Sequence, residues 1–251
     1  MTPTNDFYIG YETRIPRPAA HLTIGTLAVL VVFGPALALA IVAGEHPFAA
    51  ATFEFGLVKT FTGRVTLSPY PTLVEDSLAG GAGSTRALLV APGKHGAAPL
   101  LAPFDGQRVT LTGTLIYRER RQAIEVEPGS IAALTGGSAA GPDAAAADTM
   151  TLRGEIVDGK CYLGVMNPGQ GATHRDCAVQ CIRGGLPPLF AVATPSGRVD
   201  VYTLASSARQ PVNAQVAALV GRAVEITGRV VTLGDERLLL ADPSTYRLVA
   251  R

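Results

Sequence analysis

From Leu22 to Gly44 the chain carries no charged residue. As a helix this stretch rises roughly 34 Å, enough to cross the hydrocarbon core of a bilayer. Pro35 lies inside it, which a membrane helix tolerates. From Thr52 onward the pattern of apolar positions changes to a period of two. Phe61 to Leu67 alternates, and Ala87-Leu88-Leu89-Val90 is a short apolar run. Val109, Leu111, Gly113, Leu115 and Tyr117 interleave with Thr110, Thr112, Thr114 and Ile116, the mark of a long half-buried strand. Arg118-Glu119-Arg120-Arg121 reads as a charged, solvated hairpin tip, from which Ala123 to Val126 returns. Residues 136–149, GGSAAGPDAAAADT, read as a linker of small residues.

After the linker the pattern restarts. Arg153-Gly154-Glu155-Ile156 echoes Thr62-Gly63-Arg64-Val65. The run from Gly221 through Val224 and Ile226 to Thr227-Gly228 echoes that from Gly106 through Val109 and Leu111 to Thr112-Gly113. Phe190 to Val192 and Val199 to Leu204 supply two further strands. Pro211 opens a helix with Val212, Val216, Leu219 and Val220 on one face, ended by Gly221. Val224 to Val230, Leu238 to Leu240 and Tyr246 to Val249 complete the chain. A helix between the third and fourth strands of a five-stranded barrel is the layout of the OB-fold. The first module follows the same order with a weaker helix, Ala97 to Phe104, interrupted by Pro99 and Pro103. The expected fold is therefore mainly β: one transmembrane helix, then two tandem OB-like five-stranded barrels, each with a short helix between strands 3 and 4. The expected bounds are a leader 1–21, an anchor 22–44, a first barrel 52–135, a linker 136–149 and a second barrel 150–251.

Composition sharpens this in two respects. A formal charge of +1, with no Trp and 6% aromatics, leaves neither a basic patch nor a stacking platform for nucleic acid. No G-x-S-x-G or H-E-x-x-H motif is present, so hydrolytic chemistry has little support. Ala91 to Gly96 is a glycine loop without the spacing of a phosphate cradle.

The chemistry concentrates between Asp158 and Gly185, which holds all three cysteines, Cys161, Cys177 and Cys181, together with His174. His174 to Cys181 has no Gly or Pro and suits a short helix stopped by Gly184-Gly185. On it His174, Cys177 and Cys181 stand at i, i+3 and i+7, on one face. A Gly- and Pro-rich loop allows Cys161 to fold back over that face. Three thiols and an imidazole suit zinc or an iron-containing centre, although the usual paired C-x₂-C is replaced by C-x₃-C. Asp158 and Asp176 are candidates to orient the histidine, as outer carboxylates do, or to serve as an N-cap and a surface charge. Two alternatives stay open: a thiol–disulfide redox site using Cys161, Cys177 and Cys181, and a single structural disulfide among them. No C-x-x-C-H is present for c-type haem attachment. In the second barrel this segment fills the loop between strands one and two, a usual ligand-contacting element of OB-folds. Pro69-Tyr70-Pro71 and a Gly-rich run take its place in the first.

Arg14 and Arg17 precede the apolar span, and only Glu45 and His46 follow it closely. That asymmetry puts the N-terminus inside and the barrels outside, in the periplasm if the source is a bacterium. Ala38-Leu39-Ala40 also resembles a signal-peptidase site, so a cleaved leader is the competing reading. Either way the body is exported, where disulfides are permitted.

The string Gly154-Glu155-Ile156-Val157-Asp158-x-Lys160-Cys161, followed by His174-x-x-Cys177-x-x-x-Cys181-x-x-Gly184-Gly185, resembles a group of uncharacterised bacterial membrane-anchored proteins. Their β-rich domain carries an Asp-x-x-Cys…His-x-x-Cys-x-x-x-Cys segment. The resemblance extends to Phe7-Tyr8-Ile9-Gly10 and to Ala91–Gly96. It implies a site at the cysteine segment and brings no activity with it. The expectation is a non-catalytic accessory protein of the bacterial inner membrane. It is anchored by residues 22–44 and holds a metal or redox cofactor beside a membrane redox or transport partner.

Overall fold

The computed structural model describes residues 15–44, 51–75, 85–135 and 149–249. The expected linker up to residue 148, most of the expected leader, and Phe7–Gly10 lie outside the described residues. So do the charged positions Arg14, Glu45 and His46. Thr149, expected in the linker, already begins a strand. The chain divides into two compact units, Met1–Phe48 and Ala49–Arg251.

The first unit holds helix α1 (Arg17–Gly44), 28 residues that run through Pro35 with none buried. It starts before the apolar span, at Arg17. An 18-residue stretch of mean hydropathy 2.5 and a rise of roughly 42 Å over the helix make it long and apolar enough to cross a membrane. These properties fit a single-pass anchor and equally a signal sequence.

The second unit contains two closed barrels of one topology. The first comprises β1 (Ala51–Thr66), β2 (Thr72–Glu75), β3 (Arg86–Val90), helix α2 (Ala98–Leu101), β4 (Arg108–Arg118), β5 (Arg121–Val126) and the short β6 (Ala132–Ala133). Strands pair in the order β1-β2-β3-β5-β4, and β1 closes onto β4. The second comprises β7 (Thr149–Asp158), α3 (Arg175–Arg183), β8 (Pro188–Ala193), β9 (Val199–Ala205), α4 (Asn213–Val216), β10 (Ala223–Leu233), β11 (Glu236–Leu240) and the short β12 (Arg247–Leu248). Its order is β7-β8-β9-β11-β10, with β10 pairing both β7 and β11. The parallel pairs β3–β5 and β9–β11 correspond. Five strands closed in this way leave no edge among the barrel strands, as in the OB-fold.

The internal repeat is visible in register. Gly63 pairs with Val109 in the first barrel, and Gly154 pairs with Val224 in the second. A Cβ at Gly63 would stand 2.3 Å from the Val74 carbonyl oxygen, and one at Gly154 2.3 Å from that of Ala191. At both positions the first strand crosses its neighbour too closely for any side chain, which is why glycine recurs there.

The structure corrects several local expectations. Thr72–Glu75 forms a strand that the alternation did not single out. The Gly-rich run, which follows Glu75 in the sequence, lies outside the described residues. The linking helices are single turns continued by 3₁₀ turns at Ala102–Phe104 and Ala217–Leu219. Pro99 does not interrupt α2, because it sits in the first turn, where no intrahelical N–H donor is needed. Pro211 lies outside α4, which starts at Asn213. Val212, Val216 and Val220 are buried together, as expected of that face.

Each barrel has its own core. Val65, Leu73, Leu89, Val109, Leu111 and Ile124 fill the first, and Ile156, Phe190, Leu204, Val216, Val224 and Ile226 the second. A third cluster lies between them. Leu88, Val90, Ile116 and Ala123, on the outer face of the first barrel, pack with Val157, Tyr162, Leu163, Leu186 and Leu189 of the second. This seam explains why Ala87 to Val90 is apolar throughout: Ala87 and Leu89 face the barrel core while Leu88 and Val90 face the other barrel. Buried polar groups cross the seam as well. Arg86 Nε donates to Glu236 Oε2 at 3.0 Å, and Arg121 Nη2 donates to Thr203 Oγ1 at 2.9 Å. Thr203 Oγ1 in turn donates to Glu236 Oε1 at 2.8 Å. The Val212 N–H donates to Tyr70 Oη at 3.0 Å.

Candidate functional site

The segment from Gly159 to Pro187, between β7 and β8, folds into a tight turn at Cys161–Val165, a loop and helix α3. Asp158 starts the arrangement. Its carboxylate is fully buried, and Oδ1 accepts the backbone N–H of Cys161 at 2.8 Å and of Lys160 at 3.2 Å. These bonds satisfy donors that the turn leaves open and fix the direction of Cys161. The other oxygen, Oδ2, lies 3.1 Å from His174 Nε2. His174 is 4% exposed and occupies the N-cap of α3. Its carbonyl accepts the Ala178 N–H at 3.0 Å and begins the helix. The far end of α3 is held by Asn213, whose Nδ2 donates to the carbonyls of Ile182 and Leu186 at 2.8 Å each.

Cys177 and Cys181 stand one turn apart on α3, and Cys161 meets them from the turn. The three sulfur atoms lie within 4.8 Å of one another, and all three cysteines are free. A second group, Asp158, Cys161 and His174, satisfies the same limit. The sequence-derived residues are thus brought into one neighbourhood but divided into two triads that share Cys161. His174 groups with Asp158 and Cys161, with Nε2 at 3.1 Å from Asp158 Oδ2, and not with all three thiols. The i, i+3, i+7 argument treated it as a helical residue. Asp158 is the carboxylate that meets the imidazole. Asp176 is exposed in the first turn of α3, where its charge faces the positive end of the helix.

Cys161 and Cys181 are buried, and Cys177 is half-buried on the open side. Hydrogen bonding and burial act unequally on the three thiols. The Cys161 S–H is directed at the Cys181 sulfur, which together with burial pushes the Cys161 thiol well up. Burial also raises Cys177, opposed by the positive charge of Lys94. Cys181 receives hydrogen bonds from both other thiols and moves down, helped by Lys94.

The first barrel closes this site. Lys160 is 4% exposed and donates to the carbonyl oxygens of Ala91 at 2.9 Å and Gly93 at 2.8 Å, with Glu125 as its ion-pair partner. The Gly96 N–H donates to the Gly184 carbonyl at 2.9 Å. A Cβ at Gly184 would stand 1.9 Å from the Lys94 carbonyl oxygen. Gly184 therefore has a second task beside ending the helix: it lets the 91–96 loop lie directly on α3. Arg118, at the end of β4, donates through Nε to the Tyr162 carbonyl at 2.7 Å and stacks 4.3 Å from that ring's centroid. Pairwise spacing cannot reveal Lys94, Lys160 or Arg118, because each acts across the seam. The signals available were the glycine loop Ala91–Gly96 and a lysine immediately before a cysteine.

Fold and site together define a class: tandem OB-type barrels, in a chain that also carries one long apolar helix, with a thiol, imidazole and carboxylate cluster able to hold a metal ion. No family model, curated protein or solved structure matches the chain.

Proposed function

We propose that this is a membrane-anchored accessory protein. Its barrels hold a soft metal ion or metal-containing cofactor on Cys161, Cys177 and Cys181, and dock to a membrane redox or transport partner on the outer face of a bacterial inner membrane. The observation that carries the reading is three free thiols within 4.8 Å of one another at a seam where two of them are shielded from water. Metal–sulfur bonds near 2.3 Å set a tetrahedral sulfur–sulfur edge of about 3.8 Å, which lies inside the 4.8 Å limit that the three sulfurs satisfy. Three sulfur ligands select zinc, copper(I) or an iron–sulfur centre over hard cations. Lys94 lowers the cost of collecting negative charge there, and the half-buried Cys177 provides the way in. His174 and Asp158 brace Cys161 from behind. The resemblance to bacterial membrane-anchored proteins supports the same location, as do the arginines ahead of the apolar span.

A thiol–disulfide role is the second reading. It is favoured by the lowered Cys181 thiol flanked by two possible disulfide partners.

One experiment separates the two. The full chain is purified in detergent without chelator, and metal content, visible spectrum and free-thiol count are recorded together. The metal reading expects about one metal per chain, lost in Cys181→Ser. The redox reading expects no metal and two thiols that interconvert with a disulfide in a thiol buffer. No metal together with three permanently unreactive thiols would reject both.

A further inference from the structure

Strand β1 carries a large interruption. Phe53 pairs with Ile116 of β4, and the next pair is Val58 with Thr114. Residues 54–57 therefore stand opposite Leu115 alone, four against one, where an ordinary bulge sets two against one. The surplus is pushed outward as a knuckle. Gly56 within it has a φ of +82° and open space where a Cβ would lie. The side chains beside it are apolar and meet water: Phe55 is 83% exposed, Leu57 59% and Val58 52%. Elsewhere in the barrel unit the exposed large apolar side chains among the described residues are Met150, Met166 and Leu248, no two adjacent in sequence. Single exposed apolar residues are ordinary, whereas a contiguous exposed group marks a contact surface.

The knuckle is braced at its base. The Phe55 ring lies 5.5 Å from that of Phe53, and Phe53 packs against the seam cluster that holds Cys161, Tyr162 and Leu163. A Cβ at Gly164 would stand 2.3 Å from the Thr52 carbonyl oxygen, so the Cys161–Val165 turn lies directly on the start of β1. The charges within the knuckle, Glu54 and Lys59, pair with each other at 2.5 Å. Apolar surroundings would therefore strip water from a matched pair and not from a lone charge. Two observations name the occupant. Six residues separate Gly44, the end of the apolar span, from Ala51, the start of β1. Fully extended, that length of chain reaches at most about 25 Å. The knuckle is also a projecting tip, and a lipid surface takes one up without a matching groove. Residues 54–57 have no partner in the β1–β4 register, which confines the tip to the boundary of headgroups and acyl chains, where backbone groups still reach water.

We infer that the β1 knuckle inserts Phe55, Leu57 and Val58 into the lipid surface of the membrane that α1 spans. The inference rests on the anchored reading of α1 and adds to it a second, shallow hold of the barrel unit on the bilayer. It stands independently of the metal reading. Because the knuckle is rooted against the Cys161 turn, that hold keeps the thiol cluster near the membrane surface.

The chain has no tryptophan, so Phe55→Trp supplies a single reporter at an exposed position. The full-length variant is reconstituted into vesicles of phosphatidylcholine and phosphatidylglycerol and floated on a density gradient. Co-flotation, blue-shifted emission and loss of most of that emission when the acyl chains are brominated are expected. Adding Leu57→Asp and Val58→Thr should restore the emission in brominated vesicles, with flotation and thermal melt unchanged. Failure to float would reject the anchored reading and the lipid contact with it. Flotation with a water-like, unquenched tryptophan would leave the anchor standing and overturn the lipid contact. Blue-shifted emission that bromine does not quench would overturn it in favour of a protein surface over the knuckle. Quenching that the two added substitutions leave unchanged would overturn the knuckle as the inserted element.

Discussion

The two barrels share strand order, one parallel strand pair and the paired glycines, yet differ in what leaves the first strand. In the first barrel only Leu67 to Pro71 separate β1 from β2. Tyr70, within that link, is spent on contact with the other barrel through the Val212 N–H. In the second barrel the same position opens into the Cys161 turn, the loop and α3. The comparison shows a duplicated scaffold whose copies have taken separate tasks. One carries the chemistry in an enlarged loop. The other keeps its loop short and uses its outer face, through Leu88, Val90, Ile116 and the 91–96 loop, as a lid over that chemistry.

The strongest way to break this comparison is to separate the copies. Residues 149–251 expressed alone would expose Val157, Leu163, Leu186 and Leu189, which the first barrel now helps to cover. Each buried aliphatic side chain stabilises by about 1.5–3 kcal/mol. The isolated second barrel should therefore lose its cooperative thermal transition or bind a hydrophobic dye strongly. A sharp melt and an unchanged thiol profile would show that the first barrel is dispensable to the site.

A smaller cut targets the polar seam. Glu236 is 3% exposed and faces Arg86 across the barrels. Glu236→Ala leaves that guanidinium buried and unpaired, which should cost about 3–5 kcal/mol in denaturant unfolding. A loss under 1 kcal/mol would mean that water reaches Arg86 easily.

Gly184→Ala sharpens the claim about the lid. The new methyl would strike the Lys94 carbonyl, so the 91–96 loop must lift. A stability loss of about 1–3 kcal/mol is expected, as for overpacking generally. Faster alkylation of Cys177 should accompany it. Unchanged thiol kinetics would detach the loop from the site.

The smallest effect concerns Asp200 and Arg237, both about a third exposed. The hydrogen bond from Arg237 holds the Asp200 carboxyl below its usual range. A lowered carboxylate stabilises the fold above its unfolded pKa, and that contribution disappears as pH falls through the folded value. Solvent screening keeps it under about 1 kcal/mol. Arg237→Ala should thus lower the melting temperature slightly near neutral pH and converge with the parent chain in strong acid. A difference that persists there would assign the effect to packing on Tyr202 instead.

What the sequence determined by itself was whatever depends on local period and spacing. Alternation named the long strands, the repeated Gly and Val positions named the duplication, and the uncharged run named α1. The interval from Cys177 to Cys181, with Gly184 after it, placed two thiols on one short helix. Tertiary structure decided the rest, because it depends on contacts between residues far apart in the chain. Ile116 looks like an outward strand position, and only the second barrel's surface makes it core. His174 looks like a member of the cysteine face, and only tertiary structure groups it with Asp158 and Cys161, its ring 3.1 Å from the Asp158 carboxylate. Lys94 and Arg118 look like solvated charges, and meet the thiols and Tyr162 only when one barrel closes on the other.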